Sequence, residues 1–275
     1  MKASFDEKEV QRLAARIRLD CLNMTYAQGT EGAHIGGALS LAEILAVLYH
    51  SVMRVSPDGR RDEQRDRLIL SKGHGAMALY AAMKEEGVLQ EELATYKNDG
   101  SPLSAHPSRA SIPGVEFSSG SLGQGLSLGV GCALGLRRKG NQDARVFVIV
   151  GDGECDEGAI WEAAQSAAHF GCRNLVAIVD HNRLQYDGPT EQVMALAPQR
   201  EKWEAFGWKA LQIDGHSAEA LYEALSTHSD RPLAIIADTV KGKGVSFMEG
   251  RPEWHNHALS AEEFAQAVKE IEASL

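Results

Sequence analysis

Val146-Phe147-Val148-Ile149-Val150-Gly151-Asp152-Gly153-Glu154 and, further on, Leu175-Val176-Ala177-Ile178-Val179-Asp180-His181-Asn182 are the stretches that decide the fold. Each opens with apolar residues at consecutive positions, the pattern of strands buried on both faces, as in a parallel sheet covered by helices. Working outward, further runs of strand length stand at residues 68–70, 210–213 and 233–237. Helix-like stretches at 157–170, 195–206 and 217–227 separate most of them. The alternation argues a doubly wound, mainly parallel α/β sheet with helices on both faces. Apolar residues Val10, Leu13, Ala14, Ile17, Cys21 and Met24 fall on one helical stripe. Ser40-x-x-Glu43 and Ser260-x-x-Glu263 have the capping-box spacing that opens a helix. The first is expected to bury Leu41, Ile44, Leu45, Leu48 and Val52, and the second to form the C-terminal helix with Phe264, Val268, Ile271 and Leu275. Residues 96–119, rich in Gly, Pro and Ser, make a loop too long to be idle in a compact domain.

A chain of 275 residues bounds the answer at one or two domains, at about 150 residues per domain. No repeat, low-complexity tract or linker divides it, so residues 1–275 are expected to form one domain. Lys+Arg 28 against Asp+Glu 38 gives a formal charge of −10, which disfavours a nucleic-acid binder. The arginine-rich stretch 54–67 is diluted by Asp58, Asp62, Glu63 and Asp66 and reads as a solvated loop. Cys21, Cys132, Cys155 and Cys172 are scattered, with no CxxC pair. MKASFDEKEV lacks the apolar core of a signal peptide, and no apolar run approaches the ~20 residues of a membrane span. The expectation is a cytoplasmic globular protein without a membrane partner.

In such a sheet, ligands bind outside the carboxyl ends of the strands. There the first stretch ends in Gly151-Asp152-Gly153-Glu154 and the second in Asp180-His181-Asn182, one βαβ unit apart. A carboxylate and an amide oxygen are hard ligands of the kind Mg²⁺ takes beside water and phosphate oxygens. Flanking glycines admit a bulky anion, and the helix beginning near Glu157 offers it free N–H groups. Gly-Asp-Gly alone reads equally as a tight turn with Asp as an N-cap; Asn182 at this spacing favours the metal-diphosphate reading. Ser119-Gly120-Ser121-Leu122-Gly123-Gln124-Gly125 is preceded by a loop instead of a strand. It therefore fails as a dinucleotide fingerprint and reads as a loop wrapped around a ligand. His34, His74, His106 and His255 each sit among small residues in loops, suited to binding hydroxyls or phosphates and to moving protons. His50, His169 and His228 fall on helix-like stretches and read as structural; His181, His216 and His257 stay undecided. Lys241-Gly242-Lys243-Gly244 reads as a solvated loop.

These residues carry a resemblance. Gly-Asp-Gly followed some thirty residues later by Asn is similar to the signature of thiamine diphosphate enzymes. The ordered set His34-Ile35-Gly36-Gly37, Ser71-Lys72-Gly73-His74-Gly75, the His106 loop, the segments 120–125, 151–158 and 179–182, and Trp254-His255 resembles the N-terminal half of transketolases. It most resembles the N-terminal subunit of transketolases split into two polypeptides. The resemblance implies that Asp152, Asn182 and the Leu184 carbonyl hold Mg²⁺ (or Ca²⁺ or Mn²⁺ in its place). It further implies that Gly151, Gly153 and Glu154 line the diphosphate, with His74, Gly120, Ser121 and Leu122 along thiamine diphosphate. His34, His106 and His255 would bind sugar hydroxyls and assist proton transfer, His255 also touching the cofactor, and Glu157 would couple paired sites. The implied reaction moves a two-carbon ketol unit from a ketose phosphate to an aldose phosphate. The implied partner is a separate pyrimidine-binding C-terminal subunit, in an α2β2 assembly.

Three positions depart from the family pattern: Ala33 for glycine, Ile35 for proline, and Lys97 about where an arginine lies near the acceptor phosphate. Lys97 bears on which sugar is used. Three other readings stay open on sequence. The loop histidines argue against the α subunit of a 2-oxoacid dehydrogenase or a decarboxylase, since such enzymes need not recognise sugar hydroxyls. A regulatory or scaffolding paralogue sits poorly with the intact Asp152 and Asn182. An NAD-dependent dehydrogenase rests only on the glycine pattern of residues 120–125.

Overall fold

The computed structural model describes residues 5–55, 62–273 and 275. Among them, five strands form a sheet: β1 (Arg67–Leu70), β2 (Val146–Gly151), β3 (Leu175–His181), β4 (Lys209–Asp214) and β5 (Leu233–Asp238). Their order is β1-β2-β3-β5-β4, and every neighbouring pair is parallel. The register sets Gly151 beside Asp180 and His181 beside Asp238, so the central strands end level at one edge.

The helices are α1 (Glu7–Ala27), α2 (Ile35–Leu39), α3 (Ala42–Ala46), α4 (Ala76–Glu85), α5 (Gln124–Arg138), α6 (Gly158–His169), α7 (Thr190–Val193), α8 (Gln199–Ala205), α9 (Ala218–Ser226) and α10 (Ala261–Glu272). Successive strand residues point to opposite faces, which explains why the consecutive apolar runs feed two cores. Leu68, Leu70, Phe147, Ile149, Val176, Ile178, Leu233 and Ile235 pack with α1–α4, α9 and α10. Ile69, Val146, Val148, Val150, Leu175, Ala177, Val179 and Ile236 pack with α5, α6 and α8. The doubly wound parallel fold is therefore present with helices on both faces.

The Ser260 capping box is formed in full, with Ser260 Oγ accepting from Glu263 and the Glu263 side chain returning to the Ser260 N–H. The Ser40 one is not. Leu41 stands at the N-cap of α3, and Ser40 Oγ donates instead to Asp180 Oδ2 at 2.8 Å. The hydroxyl, which as a cap would accept from a helix N–H, is instead oriented by its charge-assisted bond to a buried carboxylate on β3.

The arginine-rich loop also departs from expectation. Residues 56–61 lie outside the described residues, but Arg65, Asp66 and Arg67 are buried. Arg65 is ion-paired to Glu116, and Asp66 accepts from Arg54 and from the Arg145 N–H. The charges compensate one another, which is what lets them leave water. The stretch expected as one helix at 195–206 begins only after Pro198, as α8, His228 lies beyond the end of α9, and Leu275 lies beyond the end of α10 and is exposed. Among the described residues no helix is long and apolar enough to cross a membrane, and the four cysteines are free.

The close seat of α5 on the sheet depends on Gly129, where an added Cβ would stand 2.5 Å from Val148 Cγ2. Overpacking of this kind costs about 1–3 kcal/mol. Gly129→Ala is therefore expected to lower stability by about that amount in urea unfolding; an unchanged midpoint would place α5 further from β2.

Candidate functional site

At the carboxyl edge, Asp152 directly follows β2 and Asn182 directly follows β3. Asp152 is 2% exposed and Asn182 9%. Asp152 Oδ1 accepts from the Gly153 N–H at 2.8 Å, and Oδ2 from the Arg183 N–H. Asn182 Oδ1 accepts from the Leu184 N–H at 3.1 Å. Arg183 has φ 63°, a left-handed conformation for a non-glycine residue. Such strain persists where the surroundings over-determine it, and here it turns residues 182–184 back over Asp152.

One carboxylate, one amide oxygen and one backbone carbonyl are hard donors suited to Mg²⁺ rather than to Zn²⁺. No cluster of three His, Cys, Asp or Glu side chains forms a metal site among the described residues. Asp152 has no cation within ion-pair distance among those residues, and burial, then the nearby Asp180 charge, push its carboxyl up to about 6. A buried carboxylate in that state fits a divalent cation as its missing partner. Glu154, expected at the diphosphate, is 2% exposed and holds backbone and hydroxyl donors of this edge. Its carboxylate accepts from the Gly123 N–H at 2.8 Å, the Gly151 N–H at 3.1 Å and Ser71 Oγ. The side chain thereby ties the loop after β1 and the end of β2 to the start of α5.

The four loop histidines converge. The ring centroids of His34 stand 5.9 Å from those of His74 and His106 and 5.4 Å from that of His255, and His74 lies 5.2 Å from His255. Backbone contacts set this arrangement. Ala33 and His257 exchange two hydrogen bonds of 3.1 Å, joining the His34 loop to the segment bearing His255. Gly120 has φ 131°, and an added Cβ would stand 2.9 Å from the His106 ring, so His106 is pressed on the 119–123 loop. Ser121 and Leu122, the latter 37% exposed, lie on the open side of that loop. Glu157 is exposed at the N-cap of α6, packed where an added Cβ on Gly123 would meet it.

Lys241, expected in a solvated loop, is 2% exposed. Its ammonium donates to the Leu184 carbonyl at 3.1 Å and to His255 Nδ1 at 3.0 Å. With Nδ1 accepting, the proton of neutral His255 sits on Nε2. Burial, then Lys241, hold His255 down at about 3; burial, then His106 and Lys97, hold His34 at about 4. His74 is also driven well below its usual range, mainly by burial. Lys97 has φ 59° and bonds the Gly32 carbonyl at 3.1 Å, which keeps its charge near His34.

Sequence reasoning missed Lys72, Asp180, Thr239 and Tyr186. The first three meet under the site (Lys72 on Asp180, and Thr239 donating to Asp180). Tyr186 is 70% exposed, its ring edge-on to His255 at 5.2 Å. The undecided histidines have structural partners. His181 pairs with Asp238, His216 with Glu43 and the Val240 N–H, and His257 with the Ala258 carbonyl.

Comparisons with known proteins identify the family of this chain. Residues 10–272 fit the family described as transketolase, thiamine diphosphate binding domain. The chain is 42% identical over 245 residues to one subunit of the apulose-4-phosphate transketolase of Phocaeicola vulgatus, covering 88% of this chain and 86% of that one. It is 41% identical over 243 residues to the 6-deoxy-6-sulfo-D-fructose transketolase subunit SqwG of a Clostridium species, covering 87% and 88%. A solved transketolase from Campylobacter jejuni superposes with a TM-score of 0.91 at 28% identity, covering 98% of this chain and 43% of that one. The chain thus spans nearly all of the two relatives that are single subunits but less than half of that longer transketolase.

The depressed histidines have a consequence for pH. Between about 4 and 6.5 the unfolded chain binds protons that His34 refuses when folded, so this contribution is complete above 6.5 and is lost as pH falls toward 4. Ring resonances of His34 and His255 are expected to stay in the neutral form from pH 8 to 5 in NMR titration. A midpoint near 6.5 for either would contradict the half-buried, mutually repelling cluster.

Proposed function

The chain belongs to the transketolase family, as its thiamine diphosphate-binding domain, and from that premise we propose that it is the N-terminal subunit of a split transketolase. It moves a two-carbon ketol unit from a ketose phosphate to an aldose phosphate with thiamine diphosphate and Mg²⁺, in the cytoplasm. A separate C-terminal subunit grips the pyrimidine end, in an α2β2 assembly. The single observation that carries the reading is geometric. The oxygens of Asp152, Asn182 and Leu184 and the imidazoles of His34, His74, His106 and His255 gather at one sheet edge. The partner is supported by relatives whose names make each of them one subunit of a transketolase, and which this chain matches over 86% to 97% of their length.

In this reading Asp152, Asn182 Oδ1 and the Leu184 carbonyl hold the cation, and Gly151 and Gly153 leave room for the diphosphate it binds. His74, Gly120, Ser121 and Leu122 lie along the cofactor, and the exposed side chain of Glu157 couples paired sites. The chemistry thiamine diphosphate supplies when bound is that of a nucleophilic carbanion at a ketose carbonyl. His34, His106 and His255 form hydrogen bonds to the sugar hydroxyls, and the neutral rings of His34 and His255 accept or give up single protons there. Nε2–H of His255, fixed by Lys241 at Nδ1, is a donor toward a substrate oxygen. The rest of the chain keeps these groups in place and dry enough for short hydrogen bonds.

The test is ketol transfer from xylulose 5-phosphate to ribose 5-phosphate, extended to other ketose phosphates, by the chain alone and with its pyrimidine-binding partner. Transfer only in the pair is the expected result. Transfer by the chain alone would overturn the split-site reading, and pyruvate turnover without ketose turnover would favour a 2-oxoacid enzyme. Within the pair, Asp152→Ala is expected to abolish Mg²⁺-dependent cofactor binding in calorimetry while the circular dichroism spectrum is kept. His255→Ala is expected to lower kcat about 10²-fold with cofactor affinity little changed; unaltered kinetics would remove His255 from the site.

A further inference from the structure

Behind the proposed metal ligands lies an ion pair that no water reaches: Lys72 is 1% exposed and Asp180 is 0%. Asp180 Oδ2 accepts from Lys72 Nζ, from Ser40 Oγ at 2.8 Å and from Asn182 Nδ2 at 3.1 Å, and Oδ1 accepts from Thr239 Oγ1. Lys72 Nζ donates a second bond to the Gly37 carbonyl at 3.0 Å, in α2, the short helix that follows His34. These bonds join four segments: the α2–α3 junction, the loop after β1, the end of β3 and the loop after β5.

The pair faces a specific ambiguity. An asparagine amide has a donor end and an acceptor end of nearly the same shape, and only the oxygen end binds a cation. With its NH₂ bonded to Asp180, Asn182 must turn Oδ1 the other way, toward the Leu184 N–H and the Asp152 carboxylate loop. The flipped amide would set oxygen against carboxylate and lose that bond. Partners of this kind orient the ligands of metal sites, and their removal typically weakens metal affinity ~10–100-fold.

We infer that Asp180, held by Lys72, Ser40 and Thr239, is a positioning residue that fixes the flip of the Asn182 amide and so presents Oδ1 to a divalent cation. Through the Gly37 carbonyl the same pair registers α2, which follows His34, against that ligand. The inference rests on the reading of Asp152, Asn182 and Leu184 as a Mg²⁺ site.

The experiment measures the Mg²⁺ dependence of thiamine diphosphate binding to the complex with the partner subunit, by calorimetry. If the wild-type complex binds no cofactor at any Mg²⁺ concentration, the functional reading fails and takes this inference with it, before any variant is compared. Removing one charge would strand the other in the interior, so both are replaced together. Lys72→Met/Asp180→Leu takes away the acceptor for Asn182. It is expected to melt near the wild type and to need ~10–100-fold more Mg²⁺ for half-saturation. Lys72→Met/Asp180→Asn keeps an acceptor oxygen and is expected to stay within about threefold of wild type, a rescue that a merely structural role for the charges would not produce. Wild-type Mg²⁺ dependence in the folded Leu variant would overturn the inference. A tenfold or greater loss in the Asn variant would overturn it as well, even if the Leu variant does not fold, because it would show that the charge and not the acceptor matters.

Discussion

A parallel sheet covered on both faces leaves polar side chains few places to stand, and that constraint organises this protein. The strand interiors supply only apolar groups to the two cores. The first polar residue after each central strand therefore emerges at the same edge, where β2 gives Asp152, the end of β3 gives Asp180 and Asn182, and the loop after β5 gives Thr239 and Lys241. Level register brings residues distant in sequence to hydrogen-bond distance, as in the bond from Thr239 to Asp180. The site is assembled by the sheet, and the loops add to it.

Electrostatics then divides that edge into layers. Innermost is the Lys72–Asp180 pair, fully enclosed; burial alone would raise the Asp180 carboxyl, but the Lys72 ammonium and the hydroxyls of Thr239 and Ser40 hold it below its usual range. Next comes Asp152, buried without a cation at its side. Outermost are the four imidazoles; burial first, then their charged neighbours, hold three of them (His34, His74 and His255) well below the usual histidine range. The progression from compensated charge, through the buried Asp152 carboxylate, to a group of imidazoles is the one that the proposed metal-diphosphate and polyhydroxyl substrate would call for.

Much of this was legible in the sequence, for physical reasons that differ from element to element. The strands could be read because burial on both faces leaves a one-dimensional trace of consecutive apolar residues. Asp152 and Asn182 could be read because strand ends fix where they emerge. That the four loop histidines suit one polar pocket could be read from the small residues around them, but how they meet is set by tertiary bonds such as Ala33–His257, which no local pattern shows. Lys72 and Lys241 escaped because a lysine among glycines looks solvated until its partner is known, and Asp180 lies 108 residues from Lys72. Ser40 misled for a related reason: its capping pattern is local, while the acceptor that won it is 140 residues away.

The central claim is that Asp152, Asn182 and the Leu184 carbonyl form one cation site that anchors a diphosphate at this edge. The most direct test is a crystal structure of the two-subunit complex grown with thiamine diphosphate and Mn²⁺ in place of Mg²⁺, with the ion located by its anomalous scattering. The account predicts one peak bonded to an Asp152 carboxylate oxygen, Asn182 Oδ1 and the Leu184 oxygen, with the diphosphate completing the shell. A peak at other residues, or ordered cofactor with no peak between these three, would contradict it.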